Sequence, residues 1–176
     1  MRIQRVGVIG GGLMGSGIAE VCARSGSHVV VHEIDAAAAE AALGRVEKSL
    51  GRAVERGKLD EAGSEDIKGR ISFSTNLDEQ ADRHLIIEAA TENEALKKQI
   101  FADLDEVSTD PEAIFASNTS SIPITRLGAA TTRPDRVVGL HFFNPVPVMA
   151  LVELVTTVKT DEVCRDTVRS YAESLG

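Results

Sequence analysis

Residues 5–33 read RVGVIGGGLMGSGIAEVCARSGSHVVVHE, and this stretch decides the fold. Its first segment, Arg5–Gly10, is an apolar run that predicts a β-strand. Apolar residues at helical spacing then predict a helix from about Met14 to Ser25, and a second apolar run, His28–Glu33, predicts another strand. A glycine-rich turn between a strand and a helix, followed by a second strand, is typical of the βαβ unit of a dinucleotide-binding sheet.

The glycines of this turn match the pattern G-x-G-x-x-G, and each has a separate physical role. Gly10 allows a tight turn, Gly12 lets a pyrophosphate approach the backbone, and Gly15 lets the helix pack closely on the strand. The start of the helix offers unpaired N–H groups and the positive end of its dipole to phosphate oxygens. We therefore expect the loop, including Leu13 and Met14, to contact a dinucleotide cofactor.

Glu33, at the end of the second predicted strand, indicates which dinucleotide the loop would bind. Its separation from Gly15 is close to the roughly 20 residues expected for the acidic residue that binds the ribose hydroxyls. A carboxylate at this point favours NAD, because it would repel the 2′-phosphate of NADP. The alternative is that the glycines form only a turn and that Glu33 is a solvated strand end.

The rest of the chain continues the alternation of strands and helices. This order predicts a Rossmann-type, doubly wound, mostly parallel sheet with helices on both faces, built as one domain over residues 1–176. Further strands are predicted at Ile71–Ser74, Leu85–Ala89, Ala113–Ser117, Val137–Phe142 and Leu151–Thr156. Further helices are predicted at Asp35–Arg56, within Lys58–Gly69 with Ser64 as its cap, at Glu94–Val107 with Leu96, Ile100, Leu104 and Val107 facing the core, from Ile124, and at Asp161–Leu175.

Composition and charge exclude several classes of partner. A formal net charge of −8 argues against nucleic acid, because phosphate-backbone binding needs a basic surface. No apolar stretch approaches the roughly 20 residues that span a bilayer, and the N-terminus has no signal-peptide pattern. Cys22 and Cys164 share no motif spacing, so we expect free thiols and a cytoplasmic location. No metal site is assigned.

Polar clusters follow several predicted strands at their carboxyl ends, where ligands bind in open α/β sheets. Thr91–Asn93 with Lys97 follows the fourth strand, Ser117–Ser121 follows the fifth, and Asn144 follows the strand that contains His141. Such residues also form ordinary turns and helix caps, and a lone histidine is often a hydrogen-bonded core residue. The functional interpretation gains weight because all of these clusters fall at the same edge of the sheet.

His141 and Glu153 each interrupt an apolar run that predicts a buried strand. Burying a lone charge is costly, so we expect the two side chains to pair across neighbouring strands. Histidine exchanges its proton near neutral pH, and the pair is therefore predicted to be a base with the residue that orients it. The alternative for Glu153 is a carboxylate on an edge strand that faces water.

Several of these segments together resemble one enzyme family. ASNTSS at residues 116–121, GLHFFNPVPVM at 139–149 and LVE at 151–153 closely resemble the 3-hydroxyacyl-CoA dehydrogenases, and VIGGGLMGSGIA at 8–19 is similar to their cofactor loop. The whole chain resembles the N-terminal domain of that family. Within the family it looks most like the stand-alone bacterial 3-hydroxybutyryl-CoA dehydrogenases.

The resemblance implies an activity and a set of catalytic residues. The activity is NAD-dependent oxidation of (S)-3-hydroxyacyl-CoA, with a short chain such as 3-hydroxybutyryl, to 3-oxoacyl-CoA in fatty-acid metabolism and β-oxidation. His141 resembles the base that takes the 3-hydroxyl proton, and Glu153 resembles the partner that holds its imidazole. Ser120 resembles the hydroxyl that binds the 3-oxygen of the substrate near the nicotinamide, and Asn144 is similar to a residue beside that site.

Cofactor and substrate contacts are also implied by the resemblance. Glu92 and Lys97 look like NAD contacts. On the long second helix, Ser49 and Arg56 match positions that touch the coenzyme A moiety. For Ser49 and Arg56 a solvated helix face remains an equal interpretation, because exposed polar residues need no function.

The family also has a helical C-terminal domain that closes over the substrate and makes the homodimer contact. The 176 residues contain no counterpart, and the last predicted helix is not followed by the strand that a doubly wound sheet would add. We therefore expect a truncated chain that binds NAD but turns over acyl-CoA poorly. The alternatives are a non-catalytic dinucleotide-binding protein, as in crystallin-like reuse, and the dehydrogenase part of a larger hydratase–dehydrogenase, against which the strand directly after Met1 argues.

Overall fold

Strands and helices largely alternate along residues 2–176, the part of the chain that the computed structural model describes. The strands are β1 (Arg5–Ile9), β2 (His28–His32), β3 (Ile71–Ser74), β4 (Leu85–Glu88), β5 (Ile114–Ser117), β6 (Val137–Phe142) and β7 (Val152–Val155). The helices are α1 (Leu13–Arg24), α2 (Ala36–Glu55), α3 (Glu61–Gly69), α4 (Glu94–Val107), α5 (Ile124–Gly128) and α6 (Glu162–Glu173). The predicted elements are therefore present, with small shifts at their ends.

These strands form one sheet in the order β3-β2-β1-β4-β5-β6-β7. The pairs from β3 to β6 are parallel, and β7 runs antiparallel to β6. The predicted doubly wound, mostly parallel Rossmann-type fold is confirmed. The strand order reverses at β1, so the loops after β1 and β4 lead away to opposite sides and leave a crevice at their carboxyl ends.

Alternate side chains of the central strands enter separate apolar clusters in the described part of the chain. Leu85 and Ile87 of β4 belong to the larger cluster, which also contains buried residues of α1, α2 and α6. Ile86 points the other way and joins the cluster beneath α4 and α5, where the rings of Phe101 and Phe115 meet edge to face at 6.2 Å. Each such fully buried side chain stabilises the fold by about 1.5–3 kcal/mol. The sheet is thereby a rigid support for the loops at its edge.

Two local predictions about helices are wrong. The side chain that caps α3 is Asp60, whose Oδ1 accepts the Gly63 N–H at 2.7 Å, and it is not Ser64. In α4 the prediction that Leu96 faces the core is wrong, because Leu96 is 44% exposed whereas Lys97 is only 1% exposed. Leu104 is buried as predicted and Ile100 packs against the same apolar cluster. The buried partner of Lys97 is described below.

Short 3₁₀ turns, which the sequence pattern does not predict, lie at Leu77–Gln80 and Pro134–Arg136. Among the helices of residues 2–176, none combines the length and the apolar character needed to cross a membrane.

Candidate active site

The glycine loop between β1 and α1 has the geometry that dinucleotide binding requires. Gly10 has a positive φ of 89°, which side-chain-bearing residues rarely adopt. A Cβ at Gly15 would lie 1.7 Å from the carbonyl oxygen of Gly10, so helix and loop approach as closely as backbones can. A Cβ at Gly12 would meet no atom of the described chain within 4 Å, and no described side chain caps α1 there. Space and free donor groups for a pyrophosphate coincide at Gly12.

Glu33 follows β2 directly and lies against the same loop. Its Oε1 accepts the N–H of Gly11 at 2.5 Å, and Arg45 of α2 donates to the carbonyl oxygen of Gly11 at 3.1 Å. The carboxylate is half-buried at the place where a ribose bound over β2 would lie. These residues fit NAD, with its adenosine half on the β2 side of the loop. The loop contact of Arg45 was missed by sequence reasoning, because a cation on an amphipathic helix carries no distinguishing signal.

A dinucleotide that crosses the loop must extend its other half over the β4 side of the sheet. A cleft of about 380 Å³ lies there, which we call the β4–β6 cleft. Predicted site residues from separate parts of the chain meet in its lining, which includes Met14, Glu92, Lys97, Ser120, His141 and Asn144. The sheet therefore brings together the polar clusters that follow β4, β5 and β6.

His141 and Glu153 face each other across the antiparallel pair β6–β7, where the strand register aligns them directly. The imidazole Nδ1 and the Glu153 Oε2 are 2.8 Å apart, so the predicted pairing is present. Phe143 packs against the imidazole, with 4.6 Å between the ring centroids. With Nδ1 engaged by the carboxylate, Nε2 is the nitrogen left to exchange a proton with a ligand in the cleft.

The expectation that Glu153 lies in a buried strand is wrong. Its side chain keeps 54% of its exposure, and the His141 side chain keeps 21%. The physical reason is that β7 is the last strand of the sheet that residues 2–176 form, so it has a neighbour on one side there, and only alternate residues are covered. Glu153 is thus a water-facing carboxylate that nevertheless holds the imidazole.

A buried hydrogen-bonded cycle, which we call the carboxylate–lysine ring, joins β4, β5 and α4. Glu88 is fully buried, and its carboxylate accepts from Lys97 Nζ at 2.6 Å, from the Ala90 N–H at 2.7 Å and from Ser117 Oγ at 2.6 Å. Lys97 also lies 3.2 Å from Glu92 Oε2, and Glu92 accepts a hydrogen bond from Thr119. The Thr119 N–H closes the cycle by donating to Ser117 Oγ at 3.2 Å.

The ring explains why an ammonium group can be buried in α4. An isolated buried charge is expensive, and the Glu88 carboxylate supplies both a counter-charge and a hydrogen-bond acceptor. Sequence reasoning assigned Lys97 to the site but missed Glu88. The available signal was a carboxylate at the end of an otherwise apolar parallel strand. All the residues of such a strand are buried.

Glu92 lies where the ring opens into the cleft, and its carboxyl has a shifted pKa. Partial burial alone would raise this pKa, but hydrogen bonds from Thr119 and Ser121 and the charge of Lys97 outweigh that effect and hold the pKa of Glu92 below its usual range. The Glu92 side chain is 45% exposed. It is therefore an ionised group at the wall of the cleft at neutral pH.

The segment after β5 combines turn residues with a free hydroxyl. Asn118 Oδ1 accepts the Phe142 N–H at 2.8 Å and so ties this segment to β6, and Thr119 Oγ1 accepts the Ile122 N–H at 3.1 Å. Ser120 is exposed and lines the cleft. The turn interpretation applies to Asn118 and Thr119, whereas Ser120 is left available for a ligand.

Ser49 and Arg56 lie apart from His141, on the α2 side of the segment that follows β6. Both line a groove of about 270 Å³, which we call the basic groove, and its cationic members are Arg24, Arg52, Arg56 and Lys58. A further cleft of about 320 Å³ connects the two regions, since it shares Asn144 with the β4–β6 cleft and Ser49 with the basic groove. The three cavities thus adjoin one another between the histidine and a cluster of cations, in a chain with a net charge of −8.

Comparison with known proteins gives consistent matches. The family model described as 3-hydroxyacyl-CoA dehydrogenase, NAD binding domain, matches residues 5–176. The 3-hydroxybutyryl-CoA dehydrogenase of Mycobacterium tuberculosis is 54% identical over 173 residues, which cover 98% of this chain and 60% of that protein. This chain therefore spans about 60% of the length of such curated relatives.

Solved structures give the same picture. The crystal structure of M. tuberculosis FadB2 superposes with a TM-score of 0.98 at 53% identity, covering 99% of this chain and 61% of that one. The (S)-3-hydroxybutyryl-CoA dehydrogenase PaaH1 from Ralstonia eutropha superposes with a TM-score of 0.96 at 44% identity, covering 99% of this chain and 61% of that one.

Proposed function

The chain belongs to the 3-hydroxyacyl-CoA dehydrogenase family, and on that premise we propose that it is the NAD-binding part of an enzyme that oxidises (S)-3-hydroxyacyl-CoA to 3-oxoacyl-CoA. The observation that carries the proposal is the His141–Glu153 pair beside a cleft that continues from the glycine loop. The names of the relatives support a short acyl chain such as 3-hydroxybutyryl. The free, buried cysteines support a cytoplasmic location.

The proton of the substrate hydroxyl would go to His141. As the C3–H bond breaks and the C3–O double bond forms, Nε2 of His141 takes the hydroxyl proton, so the substrate does not pass through a free alkoxide. NAD, when bound, supplies the acceptor for the hydride that leaves C3. In the reverse direction the imidazolium returns its proton to the 3-oxygen of the oxoacyl group.

Glu153 and Ser120 would support this proton transfer in different ways. The Glu153 carboxylate fixes the imidazole through Nδ1, and its negative charge stabilises the imidazolium that forms. Ser120 is exposed in the same cleft, so its hydroxyl is able to donate to the 3-oxygen and hold it near Nε2. Asn144 lies at the junction of this cleft with the connecting one and would position the thioester end of the substrate.

The basic groove would bind the phosphates of coenzyme A. Guanidinium groups suit phosphate because they donate paired hydrogen bonds, and Arg52 and Arg56 stand together there with Ser49. The connecting cleft, lined by Leu13, Gly17, Pro145 and Val146 among others, gives the pantetheine arm a route from the groove to His141.

The parts of the enzyme beyond this chain also enter the proposal. We propose a helical domain that covers the β4–β6 cleft and forms the contact of a homodimer. Exposed apolar side chains between β6 and β7, at the cleft edge of the sheet, support such a cover, since Val148 is 65% and Leu151 55% exposed.

The activity is tested with the full-length protein, by following NADH formation from NAD and (S)-3-hydroxybutyryl-CoA. His141→Gln should lower the turnover number by about 10²–10⁴-fold, because the base is lost. Glu153→Gln should also lower it strongly, because the imidazolium loses its counter-charge. NAD affinity should stay unchanged in both variants.

Glu173→Gln serves as the matched control, because it removes an exposed carboxylate from the end of α6, away from the cleft. It should behave as the wild type. Wild-type turnover in His141→Gln would refute the assignment. NAD binding without any turnover by the full-length wild type would favour a non-catalytic dinucleotide-binding protein instead.

A further inference from the structure

The carboxylate–lysine ring contains two carboxylates and one ammonium group. Lys97 Nζ lies 2.6 Å from Glu88 Oε1 and 3.2 Å from Glu92 Oε2. Glu88 and Lys97 are 0% and 1% exposed, so they form a buried pair without net charge. Glu92 is 45% exposed at the mouth of the ring, and its charge has no further cation to balance it within the ring. One negative charge is therefore left over at that point.

This excess charge lies in the wall of the β4–β6 cleft. Among the described residues that line the cleft, the ionisable side chains are Glu92, Lys97 and His141. The His141–Glu153 pair carries one negative charge with a neutral imidazole and none with an imidazolium, and this contribution is the same in the wild type and in variants of Glu92. Glu33, on the far side of the glycine loop, would hold the adenosine half of NAD over β2, and the nicotinamide half would then fall in this cleft.

The two redox forms of the nicotinamide differ in charge. The ring carries one positive charge in NAD⁺ and none in NADH, because the transferred hydride neutralises it. A fixed negative charge a few ångströms away, in a partly buried site, attracts the cation and leaves the neutral ring unaffected. We propose that the Glu88–Lys97–Glu92 arrangement leaves an uncompensated negative charge beside the nicotinamide that raises the affinity of this site for NAD⁺ relative to NADH.

The inference rests on the proposed function, since it needs NAD in the cleft. It concerns the equilibrium between the enzyme-bound oxidised and reduced species. By thermodynamic linkage, a site that favours NAD⁺ makes bound NADH a stronger hydride donor. The charge therefore favours reduction of 3-oxoacyl-CoA among the enzyme-bound species. The buried Glu88 contributes indirectly, because it neutralises Lys97 and so leaves the charge of Glu92 uncancelled.

The test compares dissociation constants of the full-length protein for NAD⁺ and NADH, measured by calorimetry in the absence of substrate. Glu92→Gln removes the charge and keeps an acceptor oxygen for Thr119. We expect the ratio Kd(NADH)/Kd(NAD⁺) to fall by about three- to tenfold in this variant. The difference should shrink at high salt, because Glu92 is partly exposed and ions screen it.

Two further variants separate charge from other effects. Glu92→Asp keeps the charge with altered hydrogen bonds and should keep a ratio close to that of the wild type. Glu94→Gln removes a carboxylate two positions along, which binds Lys98 and Arg126 outside the cleft, and should leave the ratio unchanged.

An unchanged ratio in Glu92→Gln would overturn the inference while leaving the proposed function intact. An equal fall in Glu92→Asp, or a similar fall in Glu94→Gln, would also overturn it, because the effect would then not follow the charge beside the ring. A wild-type protein that binds neither nucleotide would overturn the inference together with the proposed function.

Discussion

At the scale of single residues, the site depends on ionisable groups that are paired in contrasting surroundings. Glu88 and Lys97 are buried and fully hydrogen-bonded, whereas Glu153 is a water-facing carboxylate that holds a partly covered histidine. The first pair is structural, because removing one of its two charges lowers the stability of the fold by leaving the other charge poorly compensated in the interior. In the proposed function, the second pair takes part in the proton transfer, and its exposure to the cleft is what allows a ligand to reach it.

We predict that Glu88→Leu lowers the free energy of unfolding by at most about 3–5 kcal/mol, because it leaves the buried Lys97 ammonium with only the more distant, partly exposed Glu92 as counter-charge. The double variant Glu88→Leu/Lys97→Met should recover most of this loss, since it removes both charges. Urea unfolding at neutral pH measures both values. Lys98→Met, at the exposed neighbouring position, serves as the control, and a double variant no more stable than Glu88→Leu would contradict the prediction.

Residue patterns identified His141 and Glu153 because each is an ionisable side chain inside an apolar run. They left open whether Glu153 is buried or faces water on an edge strand, because its exposure depends on whether the described sheet continues beyond β7. Glu88 was missed for the opposite reason. Its burial follows from the place of β4 between β1 and β5, and one of its partners, Ser117, lies 29 residues along the chain.

At the scale of elements, the glycine loop is the feature that sequence describes best. Its roles follow from local backbone geometry, and the structure has the positive φ at Gly10 and the close contact at Gly15. The buried face of a helix is predicted less well from sequence. In α4, Lys97 is buried because its partner, Glu88, lies on another element. The direction of β7 is likewise invisible in a strand pattern, since parallel and antiparallel edge strands share the same periodicity.

Two alanine variants of the glycine loop should differ in their effects on stability and on NAD binding. Gly15→Ala should cost about 1–3 kcal/mol of stability, because its Cβ would lie 1.7 Å from the Gly10 carbonyl oxygen. Gly12→Ala should cost less than about 1 kcal/mol, because its Cβ enters open space, yet it should weaken NAD binding by occupying that space. Thermal unfolding and NAD titration of both variants check this. Undiminished NAD affinity in Gly12→Ala would count against a pyrophosphate at the loop.

At the scale of the whole molecule, charge is distributed unevenly. The chain carries a net charge of −8, yet the groove beside α2 collects Arg24, Arg52, Arg56 and Lys58. Sequence suggested Ser49 and Arg56 by resemblance alone, with a solvated helix face as an equal interpretation. The groove and its connection to the histidine arise from the way α2 meets the segment after β6, and such a meeting of distant segments has no local sequence signal.

We predict that Arg52→Gln/Arg56→Gln weakens binding of 3-hydroxybutyryl-CoA to the full-length protein by about tenfold or more, because charge-assisted hydrogen bonds to phosphate are lost. A pantetheine thioester without the nucleotide phosphates should bind the variant and the wild type equally. Calorimetric titration with both ligands measures the difference. The control is Arg126→Gln, on α5 outside the groove, and an equal loss for both ligands would argue against phosphate binding there.

The antiparallel edge strand that carries Glu153 has a consequence for local unfolding. Within residues 2–176, β7 is four residues long and hydrogen-bonds to a strand on one side only, whereas β1 and β4 are flanked on both sides. Short edge segments open without unfolding the rest of a protein. Amide hydrogen exchange should therefore be faster at β7 than at the central strands. On warming, the chain of residues 2–176 would therefore separate Glu153 from His141 while the nucleotide site is still folded.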